Sequence, residues 1–181
     1  MGREIRMVPP NWEHPKVERP NHRLGVMEMR YQPLYNRPFG PSMREWFAAW
    51  EAWERGERPD YCDGDDRNLQ FWEWDGGPPD PAYYRPDWPE GHATWFQVYE
   101  TVSEGTPVTP PFATREELVD YLVANGDFWD QKRRSEGRSS MRCTPWPRDE
   151  AEAFVNEGFA CSLVVANGKV MSGTEALVAQ K

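Results

Sequence analysis

Residues 94–102 read TWFQVYETV, from Thr94 to Val102. Aromatic and β-branched side chains fill the stretch, the types that suit a pleated backbone packed against neighbours. Trp95, Phe96, Val98 and Tyr99 make both of its faces apolar, and a strand apolar on both faces belongs in the interior of a sheet. The elements on either side then decide what kind of sheet holds it.

Downstream of a Gly/Pro-rich turn, Thr114 and Glu117 have the spacing of a capping box. They open a helix with Leu118, Tyr121 and Leu122 on one side and Gly126 as its stop. A further helix is predicted over Arg148–Glu157, with Phe154 inward and Gly158 as terminator. The chain then reads as a hairpin, Cys161–Val165 and Lys169–Met171, around Asn167-Gly168, a pair that supplies the positive φ angles of a type I′ turn. Between these elements the segment 131–142 is polar and basic without apolar periodicity, and reads as a mobile loop.

Upstream, Ser42 and Glu45 repeat the capping-box spacing. Trp46, Ala49, Trp50 and Trp53 follow at i, i+3, i+4 and i+7, a helix ending near Gly56 with Arg44, Glu51 and Arg55 on its far side. The first forty residues are punctuated by proline. Arg3–Val8 and Leu24–Tyr31 read as extended, and Met27, Met29 and Tyr31 alternate with Glu28 and Arg30 as in a half-buried strand. Pro9, Pro10, Pro15 and Pro20 exclude a helix between them. In the Pro/Gly/Asp-rich stretch 58–91, Gln70, Trp72 and Trp74 alternate with Leu69, Phe71 and Glu73, which predicts a strand. Asp80-Pro81 starts one helical turn through Tyr84. Interspersed helices and strands with an antiparallel hairpin predict an α+β fold. The expectation is a single domain over 1–181 (with 1–44 its proline-punctuated extended region), a mainly antiparallel sheet, about three helices on one face and long Pro/Gly-rich loops.

A chain of 181 residues can bury a core as one domain. Only 38% of it is hydrophobic, yet 10 Trp, 8 Phe and 7 Tyr concentrate the apolar area in few side chains. Trp46, Trp50, Trp53, Trp72, Trp74 and Trp95 lie on periodic elements and are expected in the core. Trp12, Trp88, Trp129 and Trp146 lie in irregular segments, as lids on the core edge or as anchors for a partner. Cys62, Cys143 and Cys161 are odd in number and far apart, which fits a reducing compartment. The amino terminus lacks the apolar core of a signal peptide, and no run approaches a membrane span. A cytoplasmic protein without membrane association is expected.

The net charge is −9, and it is regional. Residues 1–44 carry eight basic and four acidic side chains, 45–90 four and thirteen, and 91–181 nine and thirteen. Acidity peaks at Asp60, Asp63, Asp65 and Asp66, and Lys132, Arg133, Arg134, Arg138 and Arg142 form a basic counter-patch. The acidic spacing departs from the D-x-[DN]-x-[DN]-G pattern and distal Glu of a calcium loop, so a solvated turn is the simpler reading. Together with Glu51, Glu54, Glu57, Glu73 and Asp75, the same acids can also present the charge pattern of nucleic acid to a basic groove. Carboxylates placed for solubility alone give the same composition. The basic segment could touch nucleic acid or an acidic partner, but it has no interleaved aromatic, and overall acidity opposes direct nucleic-acid binding.

His14, His22 and His92 form no metal motif with the cysteines. Neither a P-loop, a GxSxG elbow nor a GxGxxG turn occurs. No catalytic residue, metal or cofactor is therefore expected, and an enzyme would need a site assembled from scattered residues.

Four stretches carry a resemblance. They are Val8-Pro9-Pro10 with Trp12, His14 and Pro15; Tyr99 through Val108, YETVSEGTPV; Phe112-Ala113-Thr114 leading to Glu116-Glu117-Leu118; and Asn125-Gly126-Asp127-Phe128-Trp129. In order along most of the chain, these resemble small accessory proteins carried by bacteriophages and prophages, a set with no assigned activity. The resemblance implies a setting and brings no fold or catalytic residue. In that setting the expectation is a non-catalytic protein that binds a host or phage protein. One form is an inhibitor of a host nucleic-acid-binding defence complex, of anti-CRISPR or anti-restriction type, acting through Asp60, Asp63, Asp65, Asp66, Glu73 and Asp75, with Lys132, Arg133, Arg134 and Arg138 as a second contact. The alternative is a phage structural, assembly or adaptor protein.

Overall fold

The computed structural model describes residues 2–22, 24–102, 105–137, 145–166 and 168–179. The chain is of mixed α+β type and forms two compact units, one from residues 1–33 with 88–181 and one from residues 34–87.

The larger unit is built on a four-stranded sheet. Its strands are β1 (Arg3–Val8), β6 (Trp95–Glu100), β7 (Thr106–Pro107) and β8 (Phe159–Ala160), in the order β7-β6-β1-β8. β6 is interior as its sequence predicts, running antiparallel to β1 from Arg3↔Glu100 to Val8↔Trp95. The helices α3 (Arg115–Asn125) and α5 (Arg148–Glu157) contribute Leu118, Leu122 and Phe154 to a core that also contains Val98 and Val108. Val98, Leu118, Leu122 and Phe154 are fully buried. Burying side chains of this size contributes about 1.5–3 kcal/mol each.

Thr114 caps α3 as predicted. Its hydroxyl accepts from Glu117 N at 3.1 Å, and Glu117 Oε2 accepts from Thr114 N at 3.1 Å. Gly126 ends the helix at φ 68°, where a Cβ would stand 2.7 Å from Asp130 Oδ2, so both conformation and space require glycine. The hairpin is present as β9 (Leu163–Ala166) and β10 (Lys169–Ser172), followed by a short helix α6 (Gly173–Ala179); Asn167 lies outside the described residues.

The mobile loop expected at 131–142 is corrected over its first part. Phe128–Ser135 is a helix, α4, because Asp127 accepts from Asp130 N and Asp130 accepts from Asp127 N, each at 3.0 Å. Lys132, Arg133 and Arg134 fill its last turn, where positive charge offsets the negative end of the helix dipole. Residues 138–142 lie outside the described residues. A strand absent from the sequence reading, β2 (Lys16–Asn21), pairs with β3 (Val26–Tyr31) in a two-stranded ribbon. Pro20 is tolerated there because such a strand has a free edge. The half-buried face expected of β3 is also corrected: Met27, Met29 and Tyr31 are exposed, since the ribbon joins no wider sheet.

In the smaller unit, β4 (Tyr35–Pro38) runs parallel to β5 (Tyr84–Arg85), and α1 (Phe39–Glu54) follows β4. The helix starts three residues before the expected cap. Pro41 needs no N–H partner in a first turn. Ser42 is buried with its hydroxyl on the Pro38 carbonyl at 3.4 Å, and Glu45 pairs with Arg37 at 2.8 Å instead of closing a capping box. The strand predicted over Leu69–Trp74 is a single helical turn, α2 (Phe71–Trp74), opened by a reciprocal Gln70–Glu73 box. Helical spacing puts Phe71 and Trp74 on the inward side and turns Trp72 out, so Trp72, expected in the core, is 52% exposed.

Candidate functional site

The smaller unit has six arginines against twelve carboxylates, a net of −6 in 54 residues. Its core is aromatic: Trp53, Cys62 and Phe71 are buried, with Trp46, Trp50 and Trp74 packed on them. The indole of Trp53 donates to the Leu69 carbonyl at 3.1 Å, which pins α1 to the segment before α2. Arg67 Nε donates to the Cys62 carbonyl at 3.0 Å and holds the 3-10 turn Gly64–Asn68.

On this frame Asp60, Asp63, Asp65, Asp66, Glu73 and Asp75 are all exposed. Glu73 accepts from Gln70 N at 2.9 Å and so has a local structural role. Among the described residues none of the six forms an ion pair. Exposed aromatics share the unit with them: Tyr61 at 78%, Trp72 at 52% and Phe47 at 46%.

Of the basic residues expected as a second contact, Lys132, Arg133 and Arg134 belong to the other unit and are engaged within it. Arg133 pairs with Asp130 at 2.5 Å. Lys132 Nζ lies 5.2 Å from the Trp129 ring. Arg134 donates to the Asn125 carbonyl. Arg138 is outside the described residues.

Two buried polar clusters in the larger unit have no counterpart in the sequence reading. In the first, Arg3 Nε donates to Asp127 at 2.7 Å and its terminal nitrogen reaches Glu100 at 3.4 Å. Trp129 Nε1 donates to Glu100 at 3.0 Å, and Trp146 Nε1 donates to Asp130 at 2.9 Å. Burial pushes the Asp127 carboxyl above the usual range and Asp130 adds to the effect, while Arg3 pulls the other way. Trp129 and Trp146 are therefore partly buried closures of the core edge, one of the two roles their irregular setting allowed. An open cavity of about 370 Å³ adjoins this cluster, lined also by Cys161, Ser172 and Thr174.

In the second cluster His14 is 7% exposed. Its Nε2 lies 2.6 Å from the Gln32 carbonyl, which can only accept, so that nitrogen carries the proton and Nδ1 faces the Tyr99 hydroxyl at 3.2 Å. The one Tyr99 hydroxyl proton faces two acceptors, Gln97 Oε1 at 2.9 Å and His14 Nδ1, and the same oxygen accepts from Trp12 Nε1 at 3.2 Å. Burial pushes the Tyr99 hydroxyl up to about 12. It also lowers the His14 pKa below its ordinary value, with Arg6 adding to the fall and the Gln32 bond opposing it. His14 is thus held by a hydrogen bond to the backbone. A groove of about 710 Å³ above it is lined by Trp12, Tyr31, Tyr121 and Phe128.

Among the described residues no three His, Cys, Asp or Glu side chains converge to hold a metal, and no helix is long and apolar enough to cross a membrane. No family model, curated protein or solved structure matches the chain.

Proposed function

We propose that the protein is a non-catalytic accessory protein of a bacteriophage or prophage, working in the host cytoplasm by binding another protein. In this reading the smaller unit engages a basic, nucleic-acid-binding host complex, as an anti-CRISPR or anti-restriction inhibitor would. The observation that carries it is the acidic unit itself: six exposed carboxylates unpaired within a net charge of −6, with Tyr61 and Trp72 exposed beside them in the chain. Such a field speeds encounter with a positive groove, and aromatic side chains supply affinity after contact.

The test is a competition. Host nucleic-acid-binding complexes purified on DNA are challenged with the protein at two salt concentrations. Displacement of the DNA that weakens as salt rises, and that is lost when Asp63, Asp65 and Asp66 are changed to lysine, is expected. Displacement that survives the triple reversal sinks the acidic-surface reading.

One observation favours the structural or adaptor reading. The face of the β9–β10 hairpin that carries Leu163, Val165 and Val170 leaves each of them about two-thirds or more exposed, at 68%, 72% and 67%. Assembly through that face would give a salt-insensitive homo-oligomer in light scattering, and a monomer at all concentrations removes it.

A further inference from the structure

Four planar groups stack in series within the unit 34–87. The Arg58 guanidinium carbon lies 3.8 Å from the centre of the Trp53 ring. Trp74 stacks on Trp53 at 4.8 Å with the planes 29° apart, and Tyr61 stacks on Trp74 at 5.8 Å and 25°. The inner end is fixed. Trp53 is buried, and Arg58 also donates to the Trp53 carbonyl at 2.6 Å. The outer end is open, for Tyr61 is 78% exposed although one of its faces lies on Trp74. With only two side-chain torsions, a tyrosine ring loses little freedom when a second group covers it, which makes it an economical contact residue.

We propose that the free face of Tyr61 receives an arginine side chain of a basic partner protein; this rests on the reading of the acidic unit as a protein-binding surface. Three features select that occupant. The unit already holds one guanidinium, Arg58, over the Trp53 ring, so guanidinium on aromatic ring is a contact it makes. Asp60, Asp63, Asp65 and Asp66 flank Tyr61 in sequence, exposed and without ion pairs among the described residues. They offer the acceptors that a guanidinium's planar donors match. Finally, the unit's net charge of −6 repels the phosphates of a nucleic acid whose bases could otherwise stack there.

The test uses the full chain and three short labelled peptides of the same spacing, one bearing arginines, one lysines and one neutral citrullines, with binding followed by fluorescence anisotropy. The arginine peptide is expected to bind more tightly than the lysine peptide, and the citrulline peptide more weakly than either. Tyr61→Leu should lower affinity for the arginine peptide about two- to five-fold, the range of an exposed cation–π contact, and abolish the arginine preference. Tyr61→Trp should keep it. Replacing Asp63, Asp65 and Asp66 with asparagine should weaken both charged peptides alike. Equal binding of the two charged peptides, or an arginine preference that persists in Tyr61→Leu, overturns the stacking proposal and leaves the acidic-surface reading intact. Absence of binding by both charged peptides overturns the two together. Tyr61-dependent binding of a single-stranded oligonucleotide in preference to the arginine peptide replaces arginine with a base.

Discussion

His14 should set the response of the fold to mild acid. The ring closes the base of the β2–β3 ribbon onto β6: Nε2–H donates to Gln32 at the end of β3, Nδ1 meets Tyr99 on β6, and Gln32 N donates to the Pro15 carbonyl at 2.9 Å. Trp12, Tyr31 and Tyr99 surround it with ring centroids 6.2, 5.5 and 5.5 Å away. His14→Ala removes the donor to a carbonyl that stays buried, about 1–3 kcal/mol, and the aromatic contacts, about 0.5–1.5 kcal/mol for each pair. Since the ring counts once, a loss of about 2–4 kcal/mol is expected. The titration adds a sign. Because burial holds the folded pKa below the ordinary value of 6.5, the unfolded chain takes up a proton that the folded one refuses. Stability is complete above 6.5 and falls as pH drops through the folded value. The charged groups near the ring reinforce this or are neutralised: Arg6 lies 4.4 Å over the Tyr99 ring and pairs with Glu4 at 2.6 Å, while Lys16 sits 5.0 Å over Tyr31. One proton contributes at most about 1.4 kcal/mol per pH unit. Urea midpoints at pH 7.5, 6.5 and 5.5, read by tryptophan fluorescence, should therefore bring wild type and His14→Ala closer together as pH falls. A gap that stays constant or widens would refute the depressed pKa, and a gap under about 0.5 kcal/mol at pH 7.5 would refute the staple.

Arg3→Ala should cost about 3–5 kcal/mol at neutral pH, since it removes the guanidinium that pairs with the buried carboxylates of Asp127 and Glu100, which are 3% and 4% exposed. The folded pKa of Asp127 is raised, so its favourable contribution exists at low pH and is lost as pH rises through that value. Urea midpoints should accordingly show the defect of Arg3→Ala shrinking toward pH 4.5 and growing toward pH 7.5. Gly173→Ala drives a Cβ into the Cys161 carbonyl oxygen, a backbone atom that cannot step aside. Thermal melts should show a loss at the upper part of the ~1–3 kcal/mol range of overpacking, whereas Gly76→Ala, where no atom lies within 4 Å, should show only the smaller strain of its positive φ, 95°.

What could be read from the sequence was what neighbours in the chain decide. The Thr114–Glu117 cap, the Gly158 stop at φ 84° and the interior strand β6 each depend on residues a few positions apart. The errors have the same origin. Ser42–Glu45 has the cap spacing, yet Pro38 and Pro41 let α1 start earlier and Ser42 is drawn inward. Asp127–Asp130 is a working box with Asp in place of Ser/Thr and Glu/Gln, so a search for the commoner residues passes over α4. β2 was hidden by Pro20, a residue that argues against strands everywhere except at an edge.

Leu69–Trp74 shows why the exposed surface was the hardest part to read. Six residues cannot separate a period of two from one of 3.6 when hydrophobic and polar groups alternate over so short a run. As a strand, Trp72 and Trp74 share a face; as a helix, Trp74 joins Phe71 and Trp72 turns away. Gln70 and Glu73, at cap spacing before and within the turn, were the signal that favoured the helix. Nothing comparable marks Tyr61. Its acidic neighbours identify a charged turn, but its placement on Trp74 depends on a contact across thirteen residues, and Trp74 in turn is held by Trp53, twenty-one residues before it. A tyrosine in a Pro-Asp-Tyr-Cys-Asp turn becomes the end of a stack only when the unit has folded. The charge that would attract a partner is therefore written locally, whereas the ring that would distinguish arginine from lysine is created by packing.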